Sequence, residues 1–262
     1  STTYPGTTEE VMLPILEQNG YKVGEDFFLA FSPERVDPGN LVYKTKNTPK
    51  VVGGVTEKCT MHAKSLYERV LNAEVFTVSS PKEAEMSKIL ENSFRIVNIA
   101  FINEMAILAK KMNINIWQVI DAAATKPFGF MPFYPGPGVG GHCIPIDPFY
   151  LTYKAREYDY HTRLIELAGE INDYMPEYVV ERLMDILNNN KKCLNGAKIL
   201  MLGVSYKNDI DDLRESPSLK VLEQLESKKA NVLIHDPYVK QFKYKDHLYT
   251  TIDLTKEILN ES

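Results

Sequence analysis

A helical pattern opens at Ser80-Pro81 and runs to about Met112, and its second half is apolar almost all round: Ile96, Val97, Ile99, Phe101, Ile102, Met105, Ile107 and Leu108. Ser80 reads as the N-cap and Pro81 as the first helical residue, where a missing N–H costs nothing. At 1.5 Å per residue such a helix spans roughly 45 Å. No face of it can be left to water, so the rest of the chain and a second copy are its expected cover. Asn98, Asn103 and Glu104 interrupt the apolar run, so it reads as a deeply buried helix and not a membrane span.

On either side of this helix the pattern alternates. Residues 1–8 read as the exit from a strand into a helix over about Glu9 to Asn19. Strands are expected at Phe27 to Phe31, Lys50 to Gly53 and Glu74 to Val78, with a helix from Glu57 to Leu71. That order implies a parallel sheet, yet no G-x-G-x-x-G fingerprint precedes it. Helices follow at Ile116 to Ala124, Pro148 to Glu157, and Arg163 to Leu187 with a break near Pro176. A polar linker then leads to a strand from Lys198 to Val204, a helix capped by Ser216-Pro217, a strand from Asn231 to His235 and one more strand and helix. The fold class is α/β, in three parts: an incomplete nucleotide-binding-type sheet over 1–79, a central all-helical domain over 80–190, and a partial α/β domain over 197–262. Both end sheets read as unfinished, so the chain is expected to be a piece of a longer protein.

The chain is 44% apolar and 25% charged with a net charge of −5, the balance of a soluble globular protein. Mild acidity gives no support for binding nucleic acid or a membrane surface. Three cysteines, far apart and odd in number, argue against a disulfide framework and fit a reducing cytoplasm. No histidine pair falls at metal-ligand spacing, so no metal site is expected.

The chemistry concentrates in the loop Tyr134-Pro135-Gly136-Pro137-Gly138-Val139-Gly140-Gly141-His142-Cys143-Ile144-Pro145-Ile146-Asp147-Pro148. Its glycines let a ligand approach the main chain closely. Pro145 suits a first helical turn, which would place Cys143 at a helix N-terminus, where a thiolate is favoured. A lone cysteine is more often a small buried hydrophobe. Lys88 and Asn92 lie four apart on one face of the long helix, where they would stabilise a developing oxyanion or, more blandly, sit as a surface pair. Glu34 follows a strand end, where ligands of open α/β sheets bind, or is a solvated acid. Asp147 would orient a water or cap the helix that begins at Pro148.

The Gly-Pro-Gly-Val-Gly-Gly-His-Cys-Ile-Pro-Ile-Asp-Pro run resembles the catalytic-cysteine motif of the UDP-glucose/GDP-mannose dehydrogenase family. Ser-Pro-Glu-Arg-Val-Asp-Pro-Gly at 32–39, Glu-Ala-Glu-Met-Ser-Lys-x-x-x-Asn at 83–92 and Leu-Gly-Val-Ser-Tyr-Lys-Asn-Asp-Ile-Asp-Asp-Leu-Arg-Glu-Ser-Pro at 202–217 are similar to its other signatures. The likeness runs in order along essentially the whole chain. It implies that 1–79 is the end of an NAD-binding Rossmann-like domain, 80–190 a dimerisation and catalytic domain, and 197–262 part of a UDP-binding domain.

The resemblance further implies a four-electron oxidation of a sugar CH₂OH to a carboxylate with NAD as cofactor. Lys88 and Asn92 would hold the oxyanion, while Thr2 and Asp147 order a water. Cys143 would form a thiohemiacetal and then a thioester, and Glu34 would shuttle protons. Substrate contacts are implied for Glu34, Arg35, Lys88, Asn92 and Tyr134, for Gly136, Gly138 and Gly140, and for Tyr206 and Lys207. Cofactor contacts are implied for Thr2, Cys143 and Arg214. Some UDP-glucose enzymes carry a second glutamate where Pro38 stands here, and no arginine aligns near Lys126-Pro127 for the family's partner-subunit contact. Ile-Pro-Ile-Asp-Pro-Phe-Tyr-Leu after the cysteine looks closest to UDP-N-acetylglucosamine 6-dehydrogenases, with UDP-N-acetylmannosamine and UDP-glucose as alternatives. Two competing readings are a two-electron hydroxyacid dehydrogenase of the 6-phosphogluconate type and a dimerising, sugar-nucleotide-binding module without activity.

Overall fold

The computed structural model describes residues 2–37 and 39–261, with the Glu261 side chain excepted, so Ser1, Pro38 and Ser262 lie outside it. The chain separates into two compact units, Ser1–Phe94 with Ile146–Arg163 and Arg95–Pro145 with Leu164–Ser262.

In the first unit, a π-helical turn, Thr7–Met12, runs into the short helix α1, Leu13–Glu17. The turn starts where it does because the carboxylate of Glu85, far along the chain, accepts the Gly6 N–H at 2.6 Å and the Thr8 N–H at 2.9 Å. The Thr8 hydroxyl donates to the same carboxylate at 2.6 Å.

Strand β1, Ala30–Phe31, pairs antiparallel with β2, Lys50–Gly54, which pairs parallel with β3, Val75–Thr77. The expected all-parallel order therefore fails at β1. The described residues between 32 and 49 form no helix, and a parallel return needs a crossover long enough to pass over the sheet. Helix α2, Glu57–Val70, supplies that crossover between β2 and β3, capped by the Thr56 hydroxyl accepting from the Cys59 N–H at 3.2 Å. A β-carbon on Gly54 would lie 2.3 Å from the Thr60 nitrogen, so only glycine lets β2 run this close to α2.

The long helix α3 spans Pro81–Lys111 as the sequence predicts. Ser80 caps it, accepting from the Lys82 N–H at 3.1 Å and donating to Glu83 at 2.6 Å. Ile96, Ala100, Ile102 and Asn103 are buried, while Phe101 is 55% and Leu108 45% exposed. The helix is thus covered on one side, not all round. Helix α4, Ile116–Ala124, follows within the second unit, and α5, Asp147–Ala155, lies in the first, ending in a 3₁₀ turn at Arg156–Tyr158. Lys154 on α5 pairs with Glu10 at 2.6 Å.

Helix α6, Arg163–Asn189, contains Pro176 without a break. Proline removes the bond to the carbonyl of Asn172. Pro176 is nevertheless buried, and tertiary packing carries the helix through. In the second unit β4, Lys198–Leu202, and β5, Asn231–His235, pair parallel across helix α7, Pro217–Ser227. Ser216 precedes α7 but does not cap it with its side chain; its hydroxyl donates to the Val204 carbonyl at 2.6 Å. Val204, Leu219, Leu222, Ile234, Val239 and Phe242 form the core here. In place of one last strand, the chain makes a hairpin, β6 Gln241–Tyr244 with β7 His247–Thr250, before the short helix α8, Lys256–Glu261.

Candidate active site

The first unit places Lys88, Asn92, Asp147, Glu34, Arg35 and Thr2. Asn92 and Asp147 are both buried, and Asn92 Nδ2 donates to Asp147 Oδ2 at 2.7 Å. Asp147 is the first residue of α5, so this bond joins the two helices that carry Lys88 and Asp147. Lys88 lies one turn before Asn92 on the same face, half-buried.

Glu34 is exposed, and its Oε1 accepts the N–H groups of Arg35 and Val36, each at 2.8 Å. Partial burial opposes ionisation, but the Val36 N–H, Lys50 and the Arg35 N–H outweigh it and hold the carboxyl below its ordinary pKa. The Arg35 guanidinium is engaged by Glu91 of α3 and by the Pro49 carbonyl.

Thr2 lines a cavity of about 440 Å³ with Thr3, Thr7, Thr8, Ala30, Phe31, Ser32 and Tyr67. Ser32 Oγ is buried there without a hydrogen-bond partner. A hydroxyl-lined cavity with an unsatisfied donor fits the polar part of a dinucleotide, although the chain carries no glycine fingerprint.

The second unit holds the glycine loop with Cys143 at its end, exposed and in no disulfide. Cys143 is not at a helix N-terminus: the backbone bends and turns from 141 to 146, and the helix begins at Asp147 with Pro148, not Pro145, in its first turn. The loop is clamped. Gly136 N–H donates to Asn103 Oδ1 at 2.9 Å, and Gly141 N–H donates to the Arg214 carbonyl at 3.0 Å. Gly138, at φ 132°, lies where a β-carbon would be 3.1 Å from both the Asn172 carbonyl oxygen and Pro217 Cβ. At Gly140 a β-carbon would meet Tyr206 Cβ at 2.6 Å, and at Gly141 the Tyr206 ring at 2.8 Å. Tyr206 thus lies against the loop. Tyr134 stacks on Trp117, with ring centroids 5.8 Å apart.

Lys207 lines a cavity of about 340 Å³ at the C-terminal ends of β4 and β5, with Gly203, Ser205, Ser218, Asp236 and Tyr238. Such strand ends are where open α/β sheets take ligands. Arg214 is exposed and paired with Asp212 at 2.6 Å, a hydrogen bond that pulls the carboxyl down and pushes the guanidinium up. Sequence reasoning missed Glu85, Asn103 and Asn172, all buried polar residues on helices; Asn103 was visible only as an interruption of an apolar run.

Each unit carries a small α/β sheet, and the second also carries the cysteine-bearing glycine loop, the features of a nucleotide-binding α/β protein. The chain belongs to the UDP-glucose/GDP-mannose dehydrogenase family, matching its NAD binding domain over residues 1–71, its central domain over 82–174 and its UDP binding domain over 200–262. It is 40% identical over 240 residues to a UDP-N-acetyl-D-glucosamine 6-dehydrogenase of Pseudomonas aeruginosa, covering 91% of this chain and 56% of that protein. It is 38% identical over 253 residues to a UDP-N-acetyl-D-mannosamine dehydrogenase of Campylobacter jejuni, covering 94% of this chain and 60% of that one. The solved UDP-D-ManNAc dehydrogenase of Pyrococcus horikoshii superposes with a TM-score of 0.87 at 36% identity, over 98% of this chain and 58% of that structure. The chain therefore spans a little over half the length of these relatives. No helix among the described residues is long and apolar enough to cross a membrane.

Proposed function

We propose that the protein is an NAD-dependent nucleotide-sugar 6-dehydrogenase, oxidising the C6 hydroxymethyl of UDP-N-acetylglucosamine to the uronic acid in the cytoplasm. The observation that carries this reading is the exposed thiol of Cys143 at the end of a glycine loop clamped at Gly136 and Gly141. A nucleophile that must meet an aldehyde needs access, and a backbone cradle for a sugar diphosphate needs fixed N–H directions.

In this reading Lys88 and Asn92 steady the oxygen that loses its proton, and Asp147, held by Asn92, orders the water that receives it. NAD, with Thr2 and Arg214 among its contacts, supplies the hydride acceptor for both oxidations, two per sugar. Cys143 adds through sulfur to the aldehyde carbon. The thioester that follows is cleaved by water, releasing the carboxylate and the free thiol, with Glu34 as proton carrier. Tyr134, Gly136, Gly138 and Gly140 line the sugar and phosphates, Arg35 supports Glu34, and Lys207 meets a phosphate beside Tyr206. A second copy covers the exposed stripe of α3, so the protein works as a homodimer.

The likeness to the C. jejuni and P. horikoshii proteins favours UDP-N-acetylmannosamine as a second reading of the sugar. Full-length protein given limiting UDP-N-acetylglucosamine and excess NAD⁺ is expected to release two NADH per sugar consumed. Two from UDP-N-acetylmannosamine and none from its epimer would move the assignment to that sugar. One NADH per sugar, unchanged in Cys143→Ala, would reject the covalent route.

A further inference from the structure

Asn103 on α3 and Asn172 on α6 are buried side by side, at 0% and 5% exposure. Their amides form a chain with a fixed direction. Gly136 N–H donates to Asn103 Oδ1 at 2.9 Å, Asn103 Nδ2 donates to Asn172 Oδ1 at 2.9 Å, and Asn172 Nδ2 donates to the Ile96 carbonyl at 3.1 Å. A donor closes one end and an acceptor the other, so neither amide can turn over without setting like atoms face to face.

We infer that Asn103 and Asn172 are positioning residues for the sugar nucleotide: the two-amide relay fixes the glycine loop by holding the Gly136 N–H. The inference rests on reading that loop as the substrate cradle. Two further observations support it. At Gly136 a β-carbon would meet nothing within 4 Å, so while its N–H is held by the scaffold its other face stays open to a ligand. At Gly138 a β-carbon would lie 3.1 Å from the backbone oxygen of Asn172, so the relay's second residue meets the loop again two positions on. The carbonyl involved is the one that Pro176 leaves without its helical partner. Gly136 is half-buried, and a loop released from its anchor loses its fixed geometry.

The test is Asn103→Leu in the full-length protein, read in two ways. Without any ligand, amide exchange in the segment containing Gly136 is expected to quicken by roughly tenfold or more. In turnover, KM for UDP-N-acetylglucosamine is expected to rise roughly tenfold, with kcat and KM for NAD⁺ little changed. Asn103→Asp keeps an acceptor for Gly136 N–H and is expected to hold KM near wild type while melting earlier. A lower melting temperature in Asn103→Leu with exchange and KM both unchanged would overturn the inference. Faster exchange in a protein that turns over no nucleotide sugar would keep the anchor and reject the substrate. Should Asn103→Leu fail to fold, Asn172→Ala is expected to show the same selective rise in KM, and its absence would be equally decisive.

Discussion

Asn92 reaches across from α3 to the first residue of α5, its Nδ2 donating to Asp147 Oδ2 at 2.7 Å with both side chains buried. The bond gives a buried carboxylate a donor that offsets part of the cost of its burial.

Asn92→Asp would set two carboxylates within hydrogen-bond reach. They cannot both ionise there, so the pair keeps a proton to higher pH than either would in the unfolded chain. A folded pKa raised above the unfolded value of about 4 gives a contribution present below that pH and lost as pH rises through the raised pKa. The variant's melting deficit against wild type is therefore expected to widen between pH 4 and pH 8. A deficit that stays constant across that range would contradict the pairing.

Asp236 is buried at the end of β5 and accepts the N–H groups of Val204 at 2.9 Å, Tyr238 at 2.9 Å and Val239 at 3.0 Å. Burial raises its pKa, but these N–H groups outweigh it and hold the carboxyl below the ordinary value of 3.8. With the folded pKa depressed, its stabilisation is present above the unfolded value and lost as pH falls through the folded one. Asp236→Asn is expected to cost about 1–3 kcal/mol at neutral pH and to flatten the acid limb of a denaturation curve. Equal acid sensitivity in both proteins would assign that limb to other groups.

Gly140→Ala and Gly136→Ala separate packing from binding. The first drives a β-carbon to 2.6 Å from Tyr206 Cβ and 2.9 Å from Pro217 Cδ, so it is expected to destabilise the protein by about 1–3 kcal/mol. The second meets open space and is expected to melt like wild type while weakening nucleotide-sugar binding, measured by calorimetry. Unchanged binding in Gly136→Ala would move the ligand off that face.

Phe94, Phe101 and Leu108 lie seven apart on α3 and remain exposed, at 47%, 55% and 45%. A repeat of seven keeps one stripe of a helix facing a partner. Phe101→Glu is expected to convert a dimer to monomer in sedimentation velocity. A dimer unaffected by the charge would place the interface elsewhere.

Helix α4 and the cap of α3 were readable because their signals are local: an apolar period bounded by Asn115, and Ser80 before Pro81. The glycine loop was legible as motif. Other features depended on partners distant in sequence. Pro176 breaks a helix by local rule, yet α6 continues because the residue is buried in tertiary packing. Ser216 has the sequence of a cap, but its hydroxyl is turned to the Val204 carbonyl, to which it donates, and caps nothing. Asn103 interrupts an apolar run, and nothing near it in sequence says that Gly136 N–H and Asn172 will meet it.

Glu85 is the plainest case of such a borrowed partner. The turn at Thr7–Met12 has no side-chain cap of its own; its opening N–H groups are satisfied by a carboxylate 77 to 79 residues later. A segment stabilised this way has little tendency to form in isolation, because the chain must first bring α3 alongside. Glu85→Gln is therefore expected to loosen the Thr7–Met12 turn while leaving α3 formed, which amide exchange over both segments would check. Thr8, which lines the same cavity as Thr2, thus owes its position to a side chain on α3.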